Sequence, residues 1–281
     1  MQITHEEWSV PSISGEPLRV SSHVPTSPHA HMIVTHGLKG FKDYGFIPLM
    51  CERLAINASI ACHRFNLSHS GIGADSSTFQ RPDLFAQDTW RTQARDILTM
   101  LRAIRTRNPG ASVVLAGHSR GGASSLLAAA ECYDHHIDPP VAVISISAPS
   151  SLNRLSARDR ETLLTTGALD MPSARTGQTL RVGHRWLQDQ LDDPAWHDLP
   201  SRCASIRCPA LIVHGGADDS VAPDNAQALA DSLPTAKLEI IAGANHVWNV
   251  THPAEPNEFE SPNARLVLLL DAITGFLDRN G

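Results

Sequence analysis

The sequence predicts an α/β domain in which a mostly parallel central sheet carries helices on both faces and a small helical cap is inserted late in the chain. Three features carry that expectation. Short apolar runs recur along the chain, amphipathic helical patterns lie between them, and one long stretch, 150–207, interrupts the alternation.

The candidate strands are Leu18 to Val24, His31 to Thr35, Ser59 to His63, Ser112 to Ala116, Val141 to Ser145, Ala210 to His214 and Leu238 to Ala242. Most are too uniformly apolar for a sheet with one wet face and suit parallel strands covered on both sides. Between them, Trp90, Ala94, Ile97, Leu98, Leu101 and Ile104 share one face at 3.6-residue spacing, and that helix stops at Asn108-Pro109-Gly110. A second helix follows the strand that leads into Gly117, and a third begins near Pro223. A closing helix is expected to take Ser261 as N-cap and Pro262 in its first turn, with Leu266, Leu269, Leu270, Ile273 and Leu277 on one stripe. Alternating strands and helices imply right-handed crossovers in one sheet. The stretch 150–207 is far longer than an ordinary connection and reads as the cap. Its Trp186 and Trp196 either pack the cap onto the sheet domain or touch substrate.

Composition narrows the function classes. The 281 residues, 42% hydrophobic and 19% charged, suffice for one sizeable core, and 1–281 reads as a single domain containing the cap. A formal net charge of −6 offers no field to gather nucleic acid or an anionic membrane, so a diffusible small molecule is the expected partner. No apolar run reaches the roughly 20 residues of a membrane span. The segment Met1 to Pro11, with His5, Glu6, Glu7 and Trp8, is unlike a signal peptide, and Cys51, Cys62, Cys132, Cys203 and Cys208 lack metal or redox spacing, so a reduced, cytoplasmic protein is expected. Neither a G-x-G-x-x-G nor a P-loop occurs, and His29 with His31, or His135 with His136, lacks the helical spacing of metal ligands. No cofactor and no metal are expected; composition leaves the oligomeric state open.

The chemistry is concentrated in Gly117-His118-Ser119-Arg120-Gly121, a G-x-S-x-G string between an apolar strand and an Ala/Leu-rich helix. In that setting the glycines allow a sharp turn that lifts the Ser119 hydroxyl above the sheet, where the following helix aims its free N–H groups. Upstream, His36-Gly37-Leu38-Lys39-Gly40 follows another strand. Together these two segments resemble the α/β-hydrolase superfamily, from about His31 to the C-terminus. The resemblance implies an oxyanion hole formed by the backbone N–H groups of Leu38 and Arg120, with Lys39 the alternative to Leu38; His36 shapes the loop.

A serine hydroxyl needs a base, and the base needs a group to fix its tautomer. In this superfamily the chain order is Ser, acid, His. His246, in Gly243-Ala244-Asn245-His246, stands between the last strand and the closing helix, where the family has its base; His252 is the rival in the same loop, and His214 ends a strand. Gly215-Gly216-Ala217-Asp218-Asp219-Ser220-Val221-Ala222-Pro223 resembles the family's G-x-x-D-x-x-V-x-P loop, which makes Asp218 the acid and leaves Asp219 as its alternative.

Within the superfamily, Arg64-Phe65-Asn66-Leu67-Ser68-His69-Ser70-Gly71 is similar to a loop of carboxylesterases of the cinnamoyl esterase and serine peptidase-like type, with His69 where a glycine is common. The expected activity is hydrolysis of a small carboxylic ester through an acyl-enzyme. An acyl-CoA thioesterase or an aminopeptidase-like amidase is the alternative within enzymes, and a non-catalytic binding protein the alternative outside them. Lys39, Lys42 and Arg120 could select a substrate with a remote negative group, or could be paired with carboxylates such as Asp43.

Overall fold

The computed structural model describes residues 2–75 and 78–280. The chain opens with β1 (Ile3–Val10), β2 (Leu18–Pro25) and β3 (Ala30–Thr35), followed by α1 (Ile47–Ala58), β4 (Ile60–Phe65), the single turn α2 (Pro82–Phe85), α3 (Trp90–Arg107), β5 (Val113–His118), α4 (Arg120–Asp134) and β6 (Ala142–Ile146). The insertion carries α5 (Ala157–Thr166), β7 (Ala168–Pro172), β8 (Thr179–Gly183), α6 (Arg185–Asp192) and α7 (Leu199–Cys203). Then come β9 (Ala210–Gly215), α8 (Asp224–Ser232), β10 (Ala236–Ile241), α9 (Pro256–Glu260) and α10 (Ala264–Asn280).

Eight strands form one sheet in the order β1-β2-β4-β3-β5-β6-β9-β10, antiparallel where β1 meets β2 and β2 meets β4, and parallel from β4 to β10. Every expected strand is present. Their two-faced apolarity has the anticipated cause: Ile33, Val113, Leu115 and Ile212 point into the core under α3, α4 and α8, whereas Met32, Val34, Val114 and Val213 point into the core under α1 and α10. The helix from Trp90 runs to Arg107, with the Thr89 side chain accepting from the Thr92 N–H at its start.

Three features differ from expectation. The strand β1 is an additional element; its alternating Ile3-Thr4-His5-Glu6-Glu7-Trp8 suits a half-exposed edge, where Trp8 lies beneath the Arg107 guanidinium and donates to Ser22 Oγ. The insertion holds helices as expected but also a β-hairpin, β7 with β8. Ser261 does not cap the closing helix, because the short α9 ends on it; Asn263 Oδ1 instead accepts from the N–H groups of Arg265 and Leu266.

Burial sets the acid stability. It is the largest cause lowering His23, His63 and His118 to about 3 and His36 to about 4. Between those values and the ordinary histidine range near 6.5, the unfolded chain binds protons that the folded chain refuses, so stability falls as pH falls through that window. Burial also raises Asp96 to about 7 and Asp88 to about 6, and these two work in the opposite direction, since the folded chain takes up their protons first. The histidines outnumber them, and His31, His69, His197 and His252 shift the same way as the other four. The urea midpoint is expected to be clearly lower at about pH 4.5 than at about pH 7.5. An equal or higher midpoint in acid contradicts this balance.

Candidate active site

Parallel strands release their loops at one edge of the sheet, and the site assembles there. Thr35 of β3 is in register with Gly117 of β5, so the His36-Gly37-Leu38 loop leaves the sheet beside the turn carrying Ser119. That turn is tight. Ser119 has φ 55° and ψ −124°, outside the comfortable regions for an L-residue, and a side chain at either flanking glycine could not be accommodated. A Cβ on Gly117 would lie 2.1 Å from the Gly121 carbonyl oxygen, and one on Gly121 would lie 2.4 Å from that of Thr35. Gly37 also lies close to the serine, since a Cβ there would be 3.1 Å from Ser119 Cβ.

Neither the Leu38 N–H nor the Arg120 N–H donates to another group among the described residues, and both residues lie beside Ser119 along one cavity wall. Arg120 opens α4, so its N–H is one of the helix's unsatisfied donors. Its guanidinium is buried, 4.5 Å over the Trp90 ring, with Nη2 3.1 Å from Asp88 Oδ2. Asp88 Oδ2 also accepts from Gln93 Nε2 at 2.6 Å, and Gln93 Oε1 accepts from Ser124 Oγ, so the first turns of α3 and α4 are tied together behind the serine. The His36 ring spans Gly37 O and the Leu67 N–H, which fixes the upstream loop.

His246 and Asp218 meet. Nδ1 of His246 donates to Asp218 Oδ2 at 2.7 Å, and the carboxylate is fully buried while the imidazole is 18% exposed. The other oxygen, Oδ1, accepts from the N–H groups of Ser220 and Val221. Burial alone would push this carboxyl up; the hydrogen bonds from His214, His246 and the Val221 N–H outweigh it and hold Asp218 well below the ordinary carboxylate range. Asp219 is exposed, its Oδ1 touched by Ser220 Oγ at 3.4 Å. His252 packs on the Tyr44 ring and accepts from the Gly45 N–H.

Two histidines enter that the sequence did not single out for the site. His214 is fully buried, with Nε2 2.8 Å from Val221 O and 3.3 Å from Asp218 Oδ2; facing two acceptors, Nε2 carries the proton. Its position four residues before Asp218 was the available signal. His118 Nε2 donates to His246 O at 2.8 Å, and the two rings lie 4.7 Å apart, which braces the loop bearing His246.

Ser119 stands between two cavities. One, of about 300 Å³, lies under the cap against Leu38 and Arg120 and is walled by Trp90, Leu152, Leu155, Met171, Val182 and Trp186. The other, of about 210 Å³, adjoins His246 and is walled by Lys39, Tyr44, His118 and Arg175. Trp186 therefore lines a cavity, whereas Trp196 donates to Glu131 at the far end of α4. Lys42 lies elsewhere, with Nζ 2.6 Å from Asp43 Oδ2, itself bound by Arg64. Among the described residues no cluster of three or more His, Cys, Asp or Glu could hold a metal, and no helix is long and apolar enough to cross a membrane.

An alpha/beta hydrolase family profile matches residues 32–258. The chain belongs to the alpha/beta hydrolase family. Solved structures with the same architecture include Est1E from Butyrivibrio proteoclasticus (19% identity, TM-score 0.69, covering 98% of each chain), which has also been determined with ferulic acid bound. The esterase domain of a Rhodothermus marinus protein (19% identity, TM-score 0.64, 100% of each chain) and a dienelactone hydrolase from Anabaena variabilis (17% identity, TM-score 0.63, 99% of each chain) are also similar to this hydrolase in fold. In sequence, 64 residues are 39% identical to the polyketide synthase ThaQ of Burkholderia thailandensis, spanning 23% of this hydrolase and 3% of that protein.

Proposed function

We propose that this hydrolase cleaves a carboxylic ester of a small molecule through an acyl-enzyme, with Ser119 as nucleophile, His246 as base, Asp218 as the group that orients His246, and the Leu38 and Arg120 N–H groups as oxyanion donors. The observation that carries this reading is the 2.7 Å bond from His246 Nδ1 to the buried Asp218 carboxylate, which makes Nδ1 the donor and Nε2 the acceptor of the neutral imidazole, in a residue that lines the same chamber as Ser119. Ser119 Oγ attacks the carbonyl carbon while His246 takes its proton. The C–O bond then breaks as His246 returns that proton to the leaving oxygen, and water repeats the cycle on the acyl-enzyme. Esterase and dienelactone hydrolase names among proteins of the same fold support this class.

The leaving oxygen must be within reach of His246, which assigns the chamber beside His246 to the leaving group and the apolar cavity to the acyl chain. Neither cavity is lined by a carboxylate among the described residues, which disfavours an aminopeptidase-like site for an α-ammonium group. Burying one methylene contributes about 0.8 kcal/mol, so kcat/KM on 4-nitrophenyl esters is expected to rise about fourfold per carbon from acetate to butyrate, then level off as the cavity fills. Aminoacyl anilides should be poor substrates. A profile that is flat from acetate upward, or faster turnover of the anilides, contradicts the assignment.

A further inference from the structure

We propose that the cavity under the cap takes an acyl chain ending in a carboxylate held by Arg154, so that the preferred substrates are monoesters of small dicarboxylic acids. The proposal rests on the ester-hydrolase reading for the direction of the substrate, and on the cavity wall for the charge at the end of the chain. Arg154 lies between β6 and α5, on the segment that also brings Leu152 and Leu155 to the wall. Leu152 is buried, Leu155 half-buried and Arg154 exposed, so this wall passes from apolar inside to charged at its rim. Arg154 Nη2 donates to Ser220 O at 3.0 Å, a neutral partner, and among the described residues Arg154 joins no ion pair. A guanidinium carries five N–H donors in a planar fork, so one anchored donor leaves an edge for a two-oxygen acceptor. The anchor also ties this cation to the loop that holds Asp218, since the Ser220 N–H donates to Asp218 Oδ1.

The rest of the wall does not oppose an anion. Its second cation, Arg120, is met by Asp88 at 3.1 Å, so Arg154 carries the charge in excess, and among the described residues no carboxylate lines the cavity. The remaining polar side chains of the wall are serine hydroxyls and the Nε1–H groups of Trp90 and Trp186; Trp90 donates to Leu152 O, and Trp186 Nε1 is buried with no partner among the described residues. A wall of one sign, rich in donors, gathers an anion and repels a cation. The remote carboxylate takes no part in the bond changes: Ser119 Oγ displaces the alcohol, which leaves with the proton carried by His246, and water then frees the dicarboxylate from Ser119.

The test compares 4-nitrophenyl half-esters of glutaric, adipic and pimelic acid with their methyl-capped diesters by 4-nitrophenol release, each rate divided by that of uncatalysed hydrolysis at the same pH to remove help from the substrate's own carboxylate. The leaving group is the same throughout, so the ratio of half-ester to capped ester reads the acyl end alone. At low salt the normalised kcat/KM is expected to favour the half-ester by about tenfold at the chain length that reaches Arg154, with the difference shrinking as salt screens the exposed charge. In R154Q the ratio should fall by about fivefold or more, R154K should keep part of it, and K39Q, altered in the other cavity, should keep it. S119A protein, which cannot form the acyl-enzyme, reads binding alone and should hold the favoured half-ester more tightly than its capped analogue, an advantage lost when R154Q is added. Selective binding to S119A without turnover of any ester by the unmodified protein would leave the acyl-end assignment standing and remove the ester-hydrolase reading. A ratio of one or less at all three lengths, a ratio unchanged in R154Q, or S119A binding that does not distinguish the two esters overturns the proposal.

Discussion

Replacing Ser119 by alanine is expected to lower kcat on 4-nitrophenyl butyrate by about 10⁶, the scale seen when a serine nucleophile is removed. The loss should be chemical and not structural. Ser119 is held at φ 55° by its surroundings, and alanine experiences the same backbone strain as serine there, while Gly117 and Gly121 keep the close approaches that form the turn. His246→Ala should cost a similar factor, because Asp218 would still be held by His214, Ser220 and Val221 while the serine would have no base. His252→Ala should be mild. Turnover by purified S119A equal to that of the unmodified protein would end the assignment, and a crippled His252→Ala beside an active His246→Ala would move the base.

Asp218→Asn is expected to lower kcat by about 10⁴, equivalent to about 5.5 kcal/mol, through the tautomer of His246. Two backbone N–H groups donate to Asp218 Oδ1, so an asparagine must turn its oxygen to that side. Its amide nitrogen then faces His246 Nδ1. That nitrogen must accept, the proton moves to Nε2, and the imidazole presents a donor where the serine needs an acceptor. The same amide also faces the Nε2–H of His214, so some stability should be lost; circular dichroism and the urea midpoint separate that loss from the catalytic one. Asp219→Asn should change kcat little, since its side chain is exposed and its Oδ1 meets Ser220 Oγ, while His246 bonds to Asp218. If Asp219→Asn is the crippled variant, the acid is one residue further on.

The sheet was legible because strands buried on both faces must be apolar on both faces, and Met32-Ile33-Val34 and Val113-Val114-Leu115 state that in consecutive residues. β1 was not legible for the complementary reason: an edge strand with one wet face can carry His5, Glu6 and Glu7, which break the apolar run that marks a strand buried on both faces. The hairpin in the cap has five-residue strands, one ending on Pro172, too short for a period to emerge.

The turn at Ser119 was the most legible part of the candidate site, because its geometry is local and depends on glycines that no side chain could replace. Asp218 and His246 are 28 residues apart in the chain, so no local period links them, and the resemblance to a family supplied the pairing. Arg175 lay beyond any such signal. It reaches the site only through the fold of the β7–β8 turn, whereas Lys42, near Gly37 and Leu38 in sequence, is turned away onto Asp43.

The most direct test of the central claim is labelling with a fluorophosphonate probe, read by intact mass and then by peptide mapping. A single adduct is expected, on the peptide containing Ser119, formed in the unmodified protein and absent from S119A. An adduct on another residue, or undiminished ester hydrolysis by a protein that takes up no probe, would contradict the assignment of Ser119 as the nucleophile.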